Sequence, residues 1–241
     1  MKSKLALTFI AIFSLASCSS DLKPEQAFET AKTYAELKWE PLPSHIRHGF
    51  DSQGIRVHTP DTTLAQHGDL RGYWRPGKTA KGMPYKWGGF DTPESFRKGL
   101  AAGKKAGDIA NTYKVHADNA GISQESVGID CSGFISRCWQ LERHYDTREL
   151  PGISAEIPWA DLRLGDILIK SGHVLMYVTY QDGHVIGYEA GPTPSWRARC
   201  CAIRVSFLKE QGFHPRRYMR MAPPNPKTNF PLYDITLTRG T

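Results

Sequence analysis

The sequence predicts an α+β fold, with N-terminal helices packed on a central antiparallel sheet. Three observations predict it. Apolar side chains recur at steps of three and four in segments of the first 142 residues, as one face of a helix requires. From Leu164 onward the period shortens toward two, in "GDILIK", "HVLMYVTY" and "HVIGYEA". Ser-Gly and Asp-Gly pairs separate these runs and supply hairpin turn chemistry. Helices first and hairpin strands later segregate into α+β architecture, and 241 residues suffice for a sizeable core.

The elements follow in chain order. "MKSKLALTFIAIFSLASCSS" opens with Lys2 and Lys4, continues in an apolar run from Leu5 to Ala16, and ends in small residues. That run is too short for a transmembrane helix and has the layout of a secretory signal. Leu15-Ala16-Ser17-Cys18 resembles the lipobox of bacterial lipoproteins, which implies removal of residues 1–17 and acylation of Cys18. Ser19 after it resembles the pattern sorted to an outer membrane, facing the periplasm. A polar tether leads to "KPEQAFETAKTYAELKW", where Pro24 suits a first helical turn and Ala27, Ala31, Tyr34 and Ala35 share one face. The helix is expected to stop at Pro41 and Pro43. Residues 44–82 have no clear period and read as irregular or short-stranded. "GMPYKWGGF" is a turn-rich aromatic stretch, and residues 92–114 read as one helix beginning at Pro93, weakened by its glycines. The helix of "DCSGFISRCWQL" comes next, then the strands, with "CAIRVSF" and "RRYMRM" as two more.

Composition narrows the function classes. Hydrophobic content of 40% and charge of 23% describe an ordinary globular protein without low-complexity segments. A net charge of +7 suits an anionic partner, but the Lys and Arg residues are scattered and no recognition helix or RNA-binding signature occurs, so nucleic acid is disfavoured. Besides Cys18 the chain has Cys131, Cys138, Cys200 and Cys201. A bond between the adjacent Cys200 and Cys201 would close a strained ring and is not expected. No cysteine pair has C-x-x-C spacing, so no metal site is expected.

Cys131 is the candidate nucleophile. Asp130 is a good N-cap, and Cys131, Phe134, Ile135 and Cys138 follow on one helical stripe. Cys138 is mid-helix and reads as packing. Cys131 is in the first turn, where unpaired N–H groups and the helix dipole favour a thiolate. Ser132 and Gly133 leave room for a substrate backbone. A thiolate needs a base and the base an orienting group. Most of the nine histidines lie in loops or polar segments and read as surface residues. His173 instead opens a strand at a rim between solvent and core. Hairpin parity then restricts its partner. A two-residue Asp182-Gly183 loop would put His173 on the face of His184, Tyr188 and Ala190. A three-residue loop starting at Gln181 would put it on the face of Glu189, near Leu175; a carboxylate there would accept the imidazole N–H.

"WGGF", "DCSGF", "LRLGDILIKSGHVLMYV" and "VIGYEAG" occur in the order found in the NlpC-type cell-wall cysteine peptidases, a bacterial branch of the papain-like fold. The resemblance covers about residues 83–192. It implies Cys131 as nucleophile, His173 as base and Glu189 at the third position, where the family usually has His, Asn or Gln. The even separation of His173 and Glu189 is typical of the family and supports the three-residue loop. Tyr85 matches a tyrosine lining the active site, and Asp130 and Ser132 flank the nucleophile where the family contacts the stem peptide. The family joins "WGG" to "DCSG" by a short loop, whereas this chain inserts residues 91–127, a segment suited to covering or narrowing the cleft.

The implied organisation is a signal over 1–17, a tether and extension over 18–80, a catalytic domain over 81–222 carrying the insertion, and a tail over 223–241. The implied activity is a lipid-anchored cysteine endopeptidase, without metal or cofactor, that cuts peptidoglycan stem peptides at the γ-D-glutamyl–diaminopimelate bond. Its partners are the wall peptide and, through Cys18, a membrane. The alternatives are an acyltransferase or lipid hydrolase with the same Cys-His pair, and a non-catalytic wall-binding lipoprotein.

Overall fold

The computed structural model describes residues 21–68, 70–191 and 194–223. The signal segment, Cys18 and the tail from residue 224 therefore lie outside the described residues. The helices are α1 (Pro24–Glu36), α2 (Pro93–Ala101), α3 (Thr112–Ala117), α4 (Cys131–Cys138) and α5 (Val205–Glu210). The strands are β1 (Lys38–Trp39), β2 (His48–Phe50), β3 (Arg56–His58), β4 (Ala80–Lys81), β5 (Lys105–Ala106), β6 (Ser126–Val127), β7 (Ser154–Glu156), β8 (Ile167–Lys170), β9 (His173–Gln181), β10 (His184–Gly191), β11 (Arg197–Arg204) and β12 (His214–Tyr218). The architecture is α+β. Its centre is a six-stranded sheet in the order β11-β10-β9-β8-β12-β7, with every neighbouring pair antiparallel.

Alternation along β9 splits the packing between the two faces. Val174 and Met176, with Tyr188 and Ala190 of β10, join the core that holds Ala27, Ala31 and Tyr34 of α1 and Phe134, Ile135 and Cys138 of α4. Leu175, Tyr177 and Val185 pack instead with Leu208 of α5 and Phe213. The α1 face is the one its spacing predicts, but the helix ends at Glu36, before the prolines. Leu37 leaves helical geometry there, and β1 pairs with β4.

Two expected elements differ. Residues 92–114 are not one helix: α2 ends at Ala101, Gly103 turns back with φ +85°, and α3 starts only at Thr112, capped by Asn111. Between them β5 pairs in parallel with β6, so backbone hydrogen bonds to a distant segment replace helical ones. "CAIRVSF" is a strand only to Arg204. Its last residues open α5, which buries Leu208 three positions after Val205, because a short apolar run fits either period.

The insertion 91–127 and the stretch 39–80 lock together. Arg47 pairs with Glu125, the Ser123 hydroxyl donates to Asp51 at 2.6 Å, Lys105 Nζ donates to the Ser44 carbonyl at 2.7 Å, and Phe96 of α2 meets Trp39 edge-on. At the centre of this region Lys114 is fully buried, its Nζ donating to Asp108 Oδ2 at 2.6 Å and to the Gly121 carbonyl at 2.7 Å. Removing one partner of such a pair strands a buried charge. Lys114→Met is expected to lower unfolding free energy by about 3–5 kcal/mol, and the double variant Lys114→Met/Asp108→Asn to recover much of that loss in the same denaturant titration.

Candidate active site

The start of α4, where Cys131 lies, is seated by two backbone segments. "MPYKWGGF" runs beside "GID": Ile129 N–H donates to the Pro84 carbonyl at 3.0 Å, Lys86 N–H to Ile129 at 3.2 Å, and Asp130 N–H to Gly89 at 3.2 Å. The approach is so close that a Cβ on Gly133 would stand 2.0 Å from the Gly89 carbonyl oxygen. The glycines of "WGGF" and "DCSGF" therefore answer each other. Asp130 caps α4 as its sequence predicts, its Oδ1 accepting from Gly133 N–H at 2.6 Å. That leaves the N–H groups of Cys131 and Ser132 in the first turn without intrahelical acceptors, by helix geometry. Cys131 itself is buried, with 6% exposure.

His173 lies at the head of β9, and its two ring nitrogens are divided. Nε2 hydrogen-bonds Glu189 Oε2 at 2.8 Å, while Nδ1 is buried and has no hydrogen-bond partner. The Cys131 thiol acts on this ring, and Nδ1 is the nitrogen left for it. Catalytic hydrogen bonds often tighten only once substrate is bound. Burial opposes a charge on His173, but the Cys131 thiol and the Glu189 carboxylate outweigh it and raise the imidazole from 6.5 to about 10. Burial likewise opposes charge on Glu189, yet His173 and Arg199 hold its carboxyl below the usual range. Arg199 Nη2 and Nε donate to Glu189 Oε1 at 2.8 and 3.1 Å from the directly opposed position on β11. Each Glu189 oxygen thus has its own cation or proton donor.

The hairpin reaches this arrangement by a different route from the expected three-residue loop. The loop is Asp182-Gly183, with Gln181 opposite His184 and φ of +47° and +77° at its two residues, as a type I′ turn demands. The parity is corrected further along. Ile186 pairs with Thr179 but Gly187 pairs with Tyr177, so Val178 is the extra residue of a β-bulge. Beyond the bulge, Tyr188 faces Met176. That brings Glu189 opposite Leu175 and onto the face of His173. A Cβ on Gly187 would meet the Met176 carbonyl oxygen at 2.3 Å, so the bulged register needs glycine there. A lone glycine inside a strand pattern is the sequence signal for this bulge. His184 is a turn residue, its Nδ1 at 2.8 Å from the Asp182 carbonyl.

Tyr85 is buried against Trp196, ring centroids 5.6 Å apart. Burial, reinforced by the neighbouring Cys131, Asp130 and Asp108, pushes its hydroxyl well above the ordinary tyrosine range. Ser132 donates to Asp130 Oδ1 at 3.0 Å and is 3.3 Å from His144 Nε2. His144 also stands 3.0 and 3.1 Å from the Asp130 oxygens. Its burial disfavours charge, but Asp130 outweighs that and raises its basicity. Asp130 and Ser132 are therefore tied to one another and to a histidine that lies in a loop without period. Arg199 was likewise invisible until the β10–β11 register was known. Cys138, Cys200 and Cys201, like Cys131, are free thiols. No helix among the described residues is long and apolar enough to cross a membrane.

No protein-family model matches the chain, and no curated protein sequence matches it.

The raised basicity of His173 has a consequence for stability. A folded-state value of about 10 against 6.5 contributes stabilisation that is complete below about pH 6.5 and is lost as pH rises toward 10. The stability difference between the native sequence and His173→Gln is therefore expected to shrink steadily across that window in parallel denaturant titrations. A difference that stays constant with pH would contradict the paired imidazolium.

Proposed function

We propose that the chain is a cysteine peptidase of the NlpC type, with a papain-like fold, that hydrolyses peptidoglycan stem peptides at the γ-D-glutamyl–diaminopimelate bond. The observation that carries this reading is the division of His173, with Nε2 bound to an anionic, Arg199-braced Glu189 and Nδ1 left for the Cys131 thiol. The ordered motifs WGGF, DCSGF and GHV supply the choice of substrate, and the net charge of +7 suits an anionic wall polymer. The lipobox-like ending at Cys18 supports an exported, membrane-anchored enzyme that meets that polymer from the lipid surface.

In this mechanism the Cys131 proton resides on His173 Nδ1, as the raised basicity of the ring requires, and the sulfur attacks the γ-glutamyl carbonyl carbon. The oxyanion is met by the first-turn N–H groups of Cys131 and Ser132, which lack acceptors of their own. Collapse breaks the C–N bond, and Nδ1–H passes its proton to the departing amine of diaminopimelate. Water, deprotonated by the now neutral Nδ1, attacks the thioester, releases the glutamyl product and leaves the Cys131 sulfur beside the reprotonated Nδ1. Glu189 holds the ring by Nε2 throughout, so Nδ1 faces the reacting atoms in both half-reactions. Arg199 keeps that carboxylate ionised as the ring cycles through its cationic form.

Incubation of the chain with purified muropeptides, followed by mass spectrometry, is expected to yield fragments with a new diaminopimelate amine. Cys131→Ala is expected to abolish them, and His173→Ala to lower kcat by roughly 10²–10⁴-fold. Full hydrolysis by Cys131→Ala would overturn the mechanism. Intact stem peptides beside a deacylated lipid would replace the peptidase with an acyl-lipid enzyme using the same pair. Inertness toward both would leave a wall-binding protein.

A further inference from the structure

Three histidines read from sequence as surface residues converge away from Cys131. His48 comes from β2, His58 from the facing strand β3, and His67 from the end of the 3-10 turn over Thr62–His67. His48 and His58 are directly opposed in the β2–β3 register, and their Nδ1 atoms are 3.2 Å apart. The rings of His48 and His67 stack with centroids 4.4 Å apart. One ring nitrogen from each of the three lies within 4.8 Å of the others.

The hydrogen bonds around the cluster determine which nitrogens are free. His48 Nε2 is 2.9 Å from Asp61 Oδ2, and the Asp61 side chain is fully buried. Asp61 also accepts from the Thr59 and Thr63 hydroxyls and from Thr63 N–H. It is thus a fixed acceptor, so Nε2 of His48 carries the proton and Nδ1 presents a lone pair toward His58. A buried carboxylate that holds one imidazole nitrogen so that the other faces inward is the usual support of a metal-bound histidine. The spacing agrees: ligand bonds of 2.0–2.1 Å in a tetrahedron put neighbouring nitrogens about 3.3–3.4 Å apart. His67 is exposed, so its ring has room to adjust within a group whose nitrogens already lie within 4.8 Å of one another. Cysteine spacing, the ground on which no metal site is expected, does not bear on these imidazoles.

We propose that His48, His58 and His67 bind one divalent transition-metal ion of the zinc class, with Asp61 as the carboxylate that orients His48. Three neutral imidazoles suit zinc, copper, nickel or cobalt rather than calcium or magnesium. The ion would clamp the β2–β3 hairpin to the turn at Thr62–His67. That turn inserts Leu64 into the cluster of Tyr85, Ile109 and Trp196, so the clamp would stiffen the wall that carries Tyr85. The proposal does not depend on the activity assigned to Cys131.

The test uses the untagged full chain, stripped with chelator and titrated with zinc chloride near neutral pH. Calorimetry and thermal unfolding are followed together, because an ion that binds only the folded state raises Tm. One ion per chain and an upward Tm shift are expected, and both should persist in Cys131→Ser. His58→Ala and the exposed His67→Ala should each weaken zinc binding at least tenfold, with Asp61→Asn weakening it by about 10–100-fold. Because His67 is exposed, its variant is expected to fold like the native chain without metal, which keeps the comparison interpretable. With cobalt(II) in place of zinc, visible ligand-field bands are expected without a near-ultraviolet thiolate charge-transfer band. The proposal is overturned by absence of saturable binding, by unchanged affinity in both His58→Ala and His67→Ala, or by loss of binding in Cys131→Ser with a thiolate band.

Discussion

The hydrogen bond between His173 Nε2 and Glu189 Oε2 requires two side chains on antiparallel neighbours to face the same way, and the turn between them forbids it. A two-residue loop fixes Gln181 opposite His184, which would carry Glu189 to the other face. Val178, the extra residue of the bulge, shifts the register by one and turns Glu189 back. The contact of Glu189 with His173 follows from that single residue, and with Nε2 occupied His173 leaves Nδ1 for Cys131. Arg199 reaches Glu189 through the unbroken β10–β11 register, in which the two are directly opposed. A carboxylate with only 7% side-chain exposure is costly to ionise unless each oxygen is partnered, and here each is.

The other half of the site depends on a close approach of main chain to main chain. Asp130 donates through its N–H to the Gly89 carbonyl and accepts through Oδ1 from Gly133 N–H. Such contact is possible only because Gly133 has no Cβ to meet that carbonyl. The helix start is therefore fixed by the backbone of "WGGF" and not by side-chain packing alone. His144 then closes the group on its outer side through Asp130 and Ser132, so two residues expected to meet substrate already have protein partners.

Periodicity made much of this legible. The α1 stripe, the α4 stripe with Asp130 before it, and the strands β8 to β10 follow from spacing, because the helices each bury one face and the strands alternate between two packed faces. Glu189 was legible as a partner for His173 by parity, although for the wrong reason: the loop was assigned the extra residue that the bulge at Val178 supplies. Gly187, alone in a strand pattern, was the available signal. What spacing does not carry are pairings between distant, irregular segments. Residues 92–114 keep helical periodicity, yet β5 breaks it to pair with β6. The His48, His58 and His67 cluster and the His144–Asp130 bond come from segments without period, so only their placement in space reveals them.

The N-terminal extension contributes to the placement of Cys131 by the same logic of backbone support. Ala27 and Ala31 let α1 lie close on the core that contains α4, and Tyr34 meets the Phe134 ring edge-on with centroids 5.9 Å apart. The Tyr34 hydroxyl donates to the Asp91 carbonyl at 2.9 Å, while the Asp91 carboxylate accepts from Gly128 N–H at 2.8 Å. Gly128 is two residues before the Asp130 cap. A continuous line of packing and hydrogen bonds thus runs from α1 through Asp91 to the chain entering α4, and loss of α1 would loosen that entry even with Cys131, His173 and Glu189 intact. Residues 24–36 are for this reason part of the packing that positions Cys131, whereas a passive tether would touch neither Phe134 nor Asp91.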